Sequence, residues 1–308
     1  MATVNKRVGI PQAVTINGID AGGTMTARLI SGFDDRNQSE PDGLQVPVKD
    51  KETQFVRGTI VTQDWPHAVE LLTAAAGSLV FYERKSGVAE AAGYIKHTIT
   101  NPVIHKMRLS ISKKQYAAVS FDFECRAADE TKGITDMHQT ADEQAAPSYI
   151  SAARGGVRII SATHGTGEAL LNILHSTELE FAIEMPLVKE SNDADVGYTC
   201  VDARLDGMKC QGKISFQDGG IKAATTQLLI QQLITAAKGD LVITVRQSQA
   251  ATNKVITIGG TDFSQVYSDS NVKAPFTGYS ADFDVSNTAG SPLTLDGTNK
   301  IITIEDAA

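Results

Sequence analysis

A glycine-rich segment near the start of the chain is the strongest candidate in the sequence for a phosphate-binding site. In the segment GIDAGGTMT, Asp20 stands two residues before the pair Gly22 and Gly23, and Thr24 follows directly. Glycines allow backbone N–H groups to approach a phosphate closely. This spacing fits a nucleotide-phosphate loop, and it fits a plain turn between two strands equally well.

The segment resembles the first phosphate-binding turn of sugar kinases in the actin/hexokinase superfamily. That resemblance implies a second glycine-rich turn, an adenosine loop and a catalytic aspartate on a helix, and none of the three is evident in the sequence. No P-loop, complete dinucleotide fingerprint, serine-hydrolase elbow or zinc-protease motif occurs either. We therefore disfavour a sugar kinase, and we expect no enzyme activity and no catalytic residues.

Metal and cofactor chemistry finds equally little support in the sequence. The cysteines are too few for a disulfide framework, match no zinc motif and are expected to be buried, reduced thiols: Cys125, Cys200 and Cys210. The histidines lack ligand spacing and are expected to be structural or solvent-exposed: His67, His97, His105, His138, His164 and His175. No cofactor and no metal ligand is predicted.

The composition is that of a chain that folds along its whole length. It has 308 residues, of which 42% are hydrophobic and 21% charged, enough for two domains. The formal charge of -8 argues against a protein that binds nucleic acid by neutralising phosphates. No apolar run approaches the ~18 residues of a membrane span, and no leader segment is evident. We expect a protein without membrane contacts that is made and assembled in a cytoplasm.

The chain repeats itself, and this similarity is more informative than any motif. LLTAAAGSLVFYERKS starts at Leu71, LITAAKGDLVITVRQS starts at Leu233, and nine of the sixteen aligned positions are identical without a gap. Apolar residues at i, i+3, i+4 and i+7 predict a helix in each copy, capped by Asp64 in the first. A glycine then ends each helix before an apolar strand.

Two further pairs of segments extend the repeat. VSFDFEC and YSADFDV alternate apolar and acidic or polar residues, as expected for strands with one buried face and one acidic, solvated face. A segment starting at Val14 corresponds in character to one starting at Val157. In that alignment Thr163 replaces the aspartate of the first copy. The shared feature is then a hairpin with Gly22 and Gly23 at its turn, not a phosphate loop.

These segments predict a mostly β (α+β) chain built from two tandem modules. Each module has one flanking helix and a long polar loop in its early part. We place the first module at residues 1–130, a linker at 131–156, and the second module, which ends in a C-terminal strand, at 157–308.

This organisation resembles the tail tube (major tail) proteins of long-tailed bacteriophages. The resemblance implies β-sandwich or barrel modules with a flanking helix that assemble into stacked rings, six modules around a channel. Some members fuse two modules, so that three chains complete a pseudo-sixfold ring. For this chain it implies a virion protein, assembled in the host bacterial cytoplasm, that contacts itself, the tape-measure protein, the tail terminator and baseplate proteins. DNA would pass through the lumen without specific binding.

The resemblance also suggests positions for the contacts. It places the early loops, 32–53 and 188–206, between stacked rings, with these charged residues as candidate inter-ring contacts: Asp34, Asp35, Arg36, Glu40, Lys49, Asp50, Lys51, Lys189, Glu190, Asp193 and Asp195. The acidic strand faces are either ordinary solvated faces or part of a channel wall that repels DNA phosphate. The candidate channel-facing residues are Asp122, Glu124, Asp282 and Asp284.

Two other assignments stay open at this point. Baseplate hub and distal tail proteins use the same module, and the sequence does not separate them from a tube subunit. A trimeric β-sandwich that recognises host carbohydrate is the alternative from a different class. Such a protein is expected to expose aromatic clusters for stacking on sugars, and only 6% of this chain is aromatic.

Overall fold

β-Strands dominate the computed structural model of the chain, which confirms the predicted mostly β class. Most strands alternate apolar and polar residues because each packs one face on the core. The structure describes residues 7–16, 18–21, 24–38, 48–73, 77–85, 93–112, 117–127, 133–143, 157–166, 170–173, 175–190, 202–205, 207–217, 229–246, 252–269, 278–287 and 292–307.

The first half of the chain supplies the strands β1 (Arg7–Ile16), β2 (Ile19–Asp20), β3 (Thr24–Gln38), β4 (Val48–Thr62), β5 (Ser78–Lys85), β6 (Tyr94–Thr100), β7 (Pro102–Ser112), β8 (Ala118–Cys125) and β9 (His138–Glu143). Its helices are α1 (Ala68–Thr73) and α2 (Ile134–Met137). The segment predicted as a linker therefore holds α2 and β9. Because β9 pairs with β6, this part of the segment extends the first half.

The second half supplies the strands β10 (Arg158–Gly165), β11 (Leu171–Asn172), β12 (Ser176–Glu184), β13 (Leu187–Glu190), β14 (Asp202–Leu205), β15 (Lys209–Phe216), β16 (Gly239–Arg246), β17 (Lys254–Asp269), β18 (Gly278–Val285) and β19 (Ile302–Asp306). Its helix is α3 (Leu229–Thr235). Helices α1 and α3 occupy the two segments where the repeat predicts a helix, and a strand follows each of them.

The two halves have the same order of neighbouring strands. In the first half, β2-β1-β5-β6-β9 forms one sheet, and β7-β8-β4-β3 belongs to a second. In the second half, β11-β10-β16-β17 continues into β17-β18-β15-β12, and β19 pairs with β17 as β9 pairs with β6. The halves differ at one corner. Asn101, with a φ of 48°, separates β6 from β7, whereas β17 runs unbroken for 16 residues.

A bulge aligns β7 of the first half with the later part of β17. Each of the two strands carries a bulge against its neighbouring strand, between Ile104 and Lys106 in β7 and between Phe263 and Gln265 in β17. Ile104 is therefore the counterpart of Phe263, and Lys106 is the counterpart of Gln265.

A pair of glycines aligns β3 of the first half with β12. Leu29 of β3 pairs with Gly58 of β4, and Phe181 of β12 pairs with Gly212 of β15. The two glycines are equivalent, because each faces a phenylalanine of the next strand. Leu29 is therefore the counterpart of Phe181.

The predicted alignment of the N-terminal strands is wrong. Thr15 pairs with Asp20 in the first half, and Thr163 pairs with Asn172 in the second. Thr163 is therefore the counterpart of Thr15, whereas the predicted alignment placed it opposite Asp20. The second hairpin loop is longer than the first by four residues, and a gapless comparison of glycine-rich segments does not detect such an insertion.

The core lies between the strand layers of both halves. Predicted core residues of β8, among them Phe121 and Phe123, are buried, and so is Phe283 of β18. Cys125 and Cys210 are buried as predicted. Burial raises the pKa of the Cys210 thiol to about 12 and also raises that of Cys125, so both thiols stay protonated at neutral pH.

The start of α1 differs from the prediction. A short 3₁₀ turn, Trp65–His67, precedes the helix, and Asp64 makes no side-chain cap hydrogen bond. Instead its Oδ1 lies 2.8 Å from His67 Nδ1, and its backbone N–H donates to Thr62 Oγ1 at 3.1 Å. Trp65 is 2% exposed and fixes this turn on the core, as expected for a tryptophan that acts as an apolar anchor.

A glycine covered by a phenylalanine ring occurs at the same place in both halves. Gly58 faces Phe123 and Gly212 faces Phe283 across neighbouring strands. A Cβ at position 58 would lie 2.8 Å from Phe123 Cζ, and one at position 212 would lie 2.7 Å from the carbonyl oxygen of Glu180. Only glycine lets the ring lie flat on the strand, so the motif is a second, structural signature of the duplication.

We expect Gly212→Ala to lower the free energy of unfolding by about 1–3 kcal/mol, because the new methyl group overpacks the Phe283 ring. The control is Lys213→Ala, at the next position, whose side chain points to the other face of the strand, with an expected change within about 0.5 kcal/mol. Urea denaturation of both variants is the measurement. Equal stability of the two variants would contradict the described packing.

Candidate assembly surface

Strand pairing joins the two halves into one sheet. β12 of the second half pairs with β7 of the first, in a register that runs from Glu178 opposite Ser112 to Glu184 opposite Lys106. The resulting row β17-β18-β15-β12-β7-β8-β4-β3 contains four strands from each half. We call the β12–β7 contact the internal junction.

Side chains reinforce the internal junction on both of its faces. On one face, Lys106 forms a salt bridge with Glu184, and the Ser112 hydroxyl donates to Glu178 Oε1 at 3.0 Å. The hydrogen bond with Lys106 lowers the pKa of the Glu184 carboxyl. On the other face the opposed pairs are apolar and almost completely buried: Phe181 with Leu109, and Ile183 with Met107. The halves thus share core as well as backbone hydrogen bonds.

The strands equivalent to the two sides of the internal junction lie at the two ends of the row. β3 is the counterpart of β12, and residues 261–269 of β17 are the counterpart of β7. Among the described residues, no strand pairs with the outer side of β3 at 26–32 or of β17 at 265–269. The protein therefore has two different unpaired edges, β3 and the later part of β17. Their equivalents, β12 and β7, pair with each other within the chain.

The face of this row turned away from the core is polar and of mixed charge. We call it the open face; it carries Lys106, Arg108, Asp122, Glu180 and Lys213, which alternate with buried residues. Charges alternate along one cross-strand line, on which Lys209, Glu184, Lys106 and Asp122 lie opposite each other in turn. Opposite charges on neighbouring strands attract, so this pattern stabilises the sheet.

The four predicted channel-facing carboxylates have different surroundings. Asp122 accepts a hydrogen bond from the Thr59 hydroxyl at 2.6 Å. Asp282 accepts one from the Tyr267 hydroxyl at 2.8 Å, which raises the pKa of that tyrosine. Asp284 is exposed, but Glu124 is only 9% exposed, so the expectation of a solvated Glu124 is wrong. The described face is therefore less acidic than the isolated strand sequences suggested, because basic residues of neighbouring strands lie between the carboxylates.

A shallow groove lies on the open face over the second half and the internal junction. It has a volume of about 560 Å³, and its charged lining residues are Arg108, Glu180, Lys213, Asp282 and Asp284. Both signs of charge meet there, so the groove does not select for an anion or a cation.

The predicted polar loops are strands where the structure describes them. Asp35 lies opposite Lys51 and Arg36 opposite Asp50 in the paired ends of β3 and β4. Asp34 and Lys49 belong to the same strands, and Lys189 and Glu190 belong to β13, which pairs with β14. These candidate contacts therefore sit on two β-hairpin arms. The remaining candidates, Glu40, Asp193 and Asp195, lie outside the described residues.

The glycine-rich segment gains no support as a phosphate loop. Asp20 lies in β2 opposite Thr15, and the equivalent residue of the second half is Asn172. The turn before it uses Gly18 with a φ of 83°. Gly22 and Gly23, predicted to form the turn, lie outside the described residues.

The structure brings together two histidines that the sequence left scattered. His97 Nδ1 and His138 Nε2 are 3.0 Å apart, and the His97 ring stacks on Phe81 at 4.4 Å. Burial, followed by the neighbouring His97, lowers the pKa of His138. The two rings come from paired strands that are distant in the sequence, and no spacing rule would have found them. Among the described residues, no group of three or more histidine, cysteine or acidic side chains could hold a metal ion.

Comparison with known proteins adds no assignment. No protein-family model matches the chain, and no curated protein matches its sequence. In the part of the chain that the structure describes, no helix is long and apolar enough to cross a membrane.

We expect Glu184→Gln to lower the free energy of unfolding by less than about 1 kcal/mol at neutral pH, because its salt bridge is partly exposed. The folded-state pKa of Glu184 lies below the ordinary value of 4.5, so its contribution is present above that pH and is lost as pH falls through the lowered pKa. The unfolding free energies of wild type and variant should therefore converge in acid.

The control for this measurement is Glu305→Gln, an exposed strand glutamate that lies opposite Val255. Urea denaturation across the acid range would compare the three proteins. A difference between wild type and Glu184→Gln that persists in acid, or that the control reproduces, would contradict the described junction.

Proposed function

We propose that this chain is a structural subunit of a bacteriophage tail tube, which acts by self-assembly and without catalysis. Three chains, each with two related modules, close into a pseudo-sixfold ring, and rings stack into a conduit for DNA and the tape-measure protein. The subunit would be assembled in the host bacterial cytoplasm and would also meet the tail terminator and baseplate proteins.

One observation carries the proposal: the duplicated halves join head to tail through strand edges whose counterparts stand at the two ends of the row. A contact between two different surfaces generates a ring or a filament when it is repeated between molecules. Long strand edges also favour such pairing, because each leaves a row of backbone N–H and C=O groups available.

The open face and the hairpin arms support the two other parts of the proposal. In a closed ring built from this row, one face of the sheet must line the interior. The polar, mixed-charge open face suits a water-filled channel, and the net charge of -8 disfavours tight binding of DNA. The arm at the ends of β3 and β4 and the separate two-stranded arm of β13 and β14 follow equivalent strands of the two halves, which suits contacts between stacked rings.

The alternatives predict different particles. A hub or distal tail subunit built from the same module would form single rings that do not stack. A trimeric host-recognition protein would form discrete particles that bind carbohydrate, and within the described residues the exposed large apolar side chains include only two aromatic ones, Phe33 and Tyr267.

Negative-stain electron microscopy of the purified chain at increasing concentration tests the proposal. We expect rings that stack into hollow tubes, because each ring presents the same arms to the next. A stable monomer at every concentration, or rings that never stack, would contradict a tube subunit. A melting temperature that rises with added nucleotide, and no longer does so after Asp20→Ala, would instead favour the kinase alternative.

A further inference from the structure

We infer that neighbouring chains pair β3 of one molecule with residues 265–269 of β17 of the next, in the register of the internal junction. This inference rests on the proposed self-assembly, but not on the viral role of the assembly. Its partner is a second copy of this chain. We call the contact the intermolecular seam.

The register follows from the alignment of the two halves. At the internal junction, Ala182 of β12 lies opposite Arg108 of β7. Because Leu29 of β3 is the counterpart of Phe181 of β12, the counterpart of the next residue, Ala182, is Ile30. In the same way, the counterpart of Arg108 on β17 is Tyr267. The seam therefore places Ile30 opposite Tyr267.

The residues brought together in this register are complementary. Ile30 and Tyr267 are 37% and 45% exposed, and they are two of the few large apolar side chains on the surface described. Direct opposition on neighbouring strands would remove both from water, and aromatic–β-branched pairs of this kind stabilise sheets.

On the core side, the seam is less apolar than the internal junction. Ser31 and Ser268 stand where the internal junction has Ile183 and Leu109. Polar residues at these edge positions lower the tendency of a single chain to aggregate through its exposed edges. Serines suit the seam, because its edges are exposed until two separate molecules meet. The internal junction can be apolar because it forms within one folding chain.

Helix α3 gives an independent sign of the same contact. Leu72 of α1 is 7% exposed, and α1 lies against β19 of the other half. The repeat aligns Leu72 with Ile234 of α3, which is 50% exposed. In the seam, α3 would face β9 of the chain that supplies β3, because β9 is the counterpart of β19. Ile234 would then be covered as Leu72 is.

Cysteine cross-linking tests the seam in the full-length chain, with Cys200 replaced by serine and the buried native thiols retained. Ile30→Cys and Tyr267→Cys are combined and oxidised mildly after assembly. Antiparallel neighbours directly opposite each other lie within reach of a disulfide. We expect covalent ladders on denaturing gels that end at a closed ring of three chains.

Two control pairs calibrate the result. Arg108→Cys with Ala182→Cys is the equivalent pair at the internal junction and should close a disulfide within one chain. Ile30→Cys with Gln265→Cys is the same seam with a two-residue slip, and it should remain mostly uncross-linked. Cross-linking of the slipped pair instead of the aligned one, with the internal control closed, would overturn the register.

The outcomes separate this inference from the proposed function. Rings or tubes that form while the aligned pair fails to cross-link would overturn the seam and leave the tube proposal standing. Cross-linked rings that never stack would support the seam and overturn the tube proposal. A cross-linked pair of chains that never extends beyond two would overturn the head-to-tail seam itself.

A substitution on α3 tests the second contact. Ile234→Asp should abolish ring formation without changing the melting temperature of the monomer, because the side chain is half-exposed before assembly. Ile160→Asp is the matched control, since Ile160 is equally exposed on β10 and has no place in the seam. Analytical ultracentrifugation gives the size of each. Unchanged rings with Ile234→Asp, or equal loss with the control, would contradict the contact.

Discussion

The pairing of β12 with β7 is the interaction on which the rest of the structure depends. A strand at the edge of a sheet leaves one row of backbone N–H and C=O groups unbonded to the sheet, and another strand is the partner that satisfies them best. In this chain one pair of module edges is satisfied within the molecule. Among the described residues, no strand pairs with the outer side of the related edges. The proposed assembly rests on this relation between the paired inner edges and the unpaired outer edges.

The duplication lets the internal junction be compared with the proposed intermolecular seam position by position. Both halves keep the same bulge, the same glycine beneath a phenylalanine and the same strand order. They differ in the edge residues that form the internal junction and the proposed intermolecular seam. The internal junction buries Phe181 and Ile183 against apolar partners, as a permanent core does. At the outer edges, Ser31 and Ser268 stand at the positions equivalent to Ile183 and Leu109, and polar residues there lower the tendency of exposed edges to aggregate. Under the proposed self-assembly, divergence after duplication separates a contact used in folding from a contact used between molecules.

Much of the fold was predictable because strand alternation and the repeat are local properties of the sequence. They located β8 and β18, both repeat helices and the buried Cys125. The alignment of the first hairpins was mispredicted because a four-residue insertion leaves similar glycine turns out of register. The sequence predicts a loop for the polar segment of β3 and β4, because a run of charged residues is typical of loops. The sequence alone does not show that these residues lie opposite each other on two paired strands. The internal junction and the His97–His138 contact depend on tertiary pairing, and no local pattern encodes them.

A reconstruction of the assembled particle by electron cryomicroscopy would show whether the internal junction repeats between molecules. We expect one continuous sheet around the ring, with three chains, β3 of each chain beside β17 of the next, and Ile30 opposite Tyr267. A particle in which two β3 edges pair with each other, or in which chains meet through surfaces other than these edges, would contradict it.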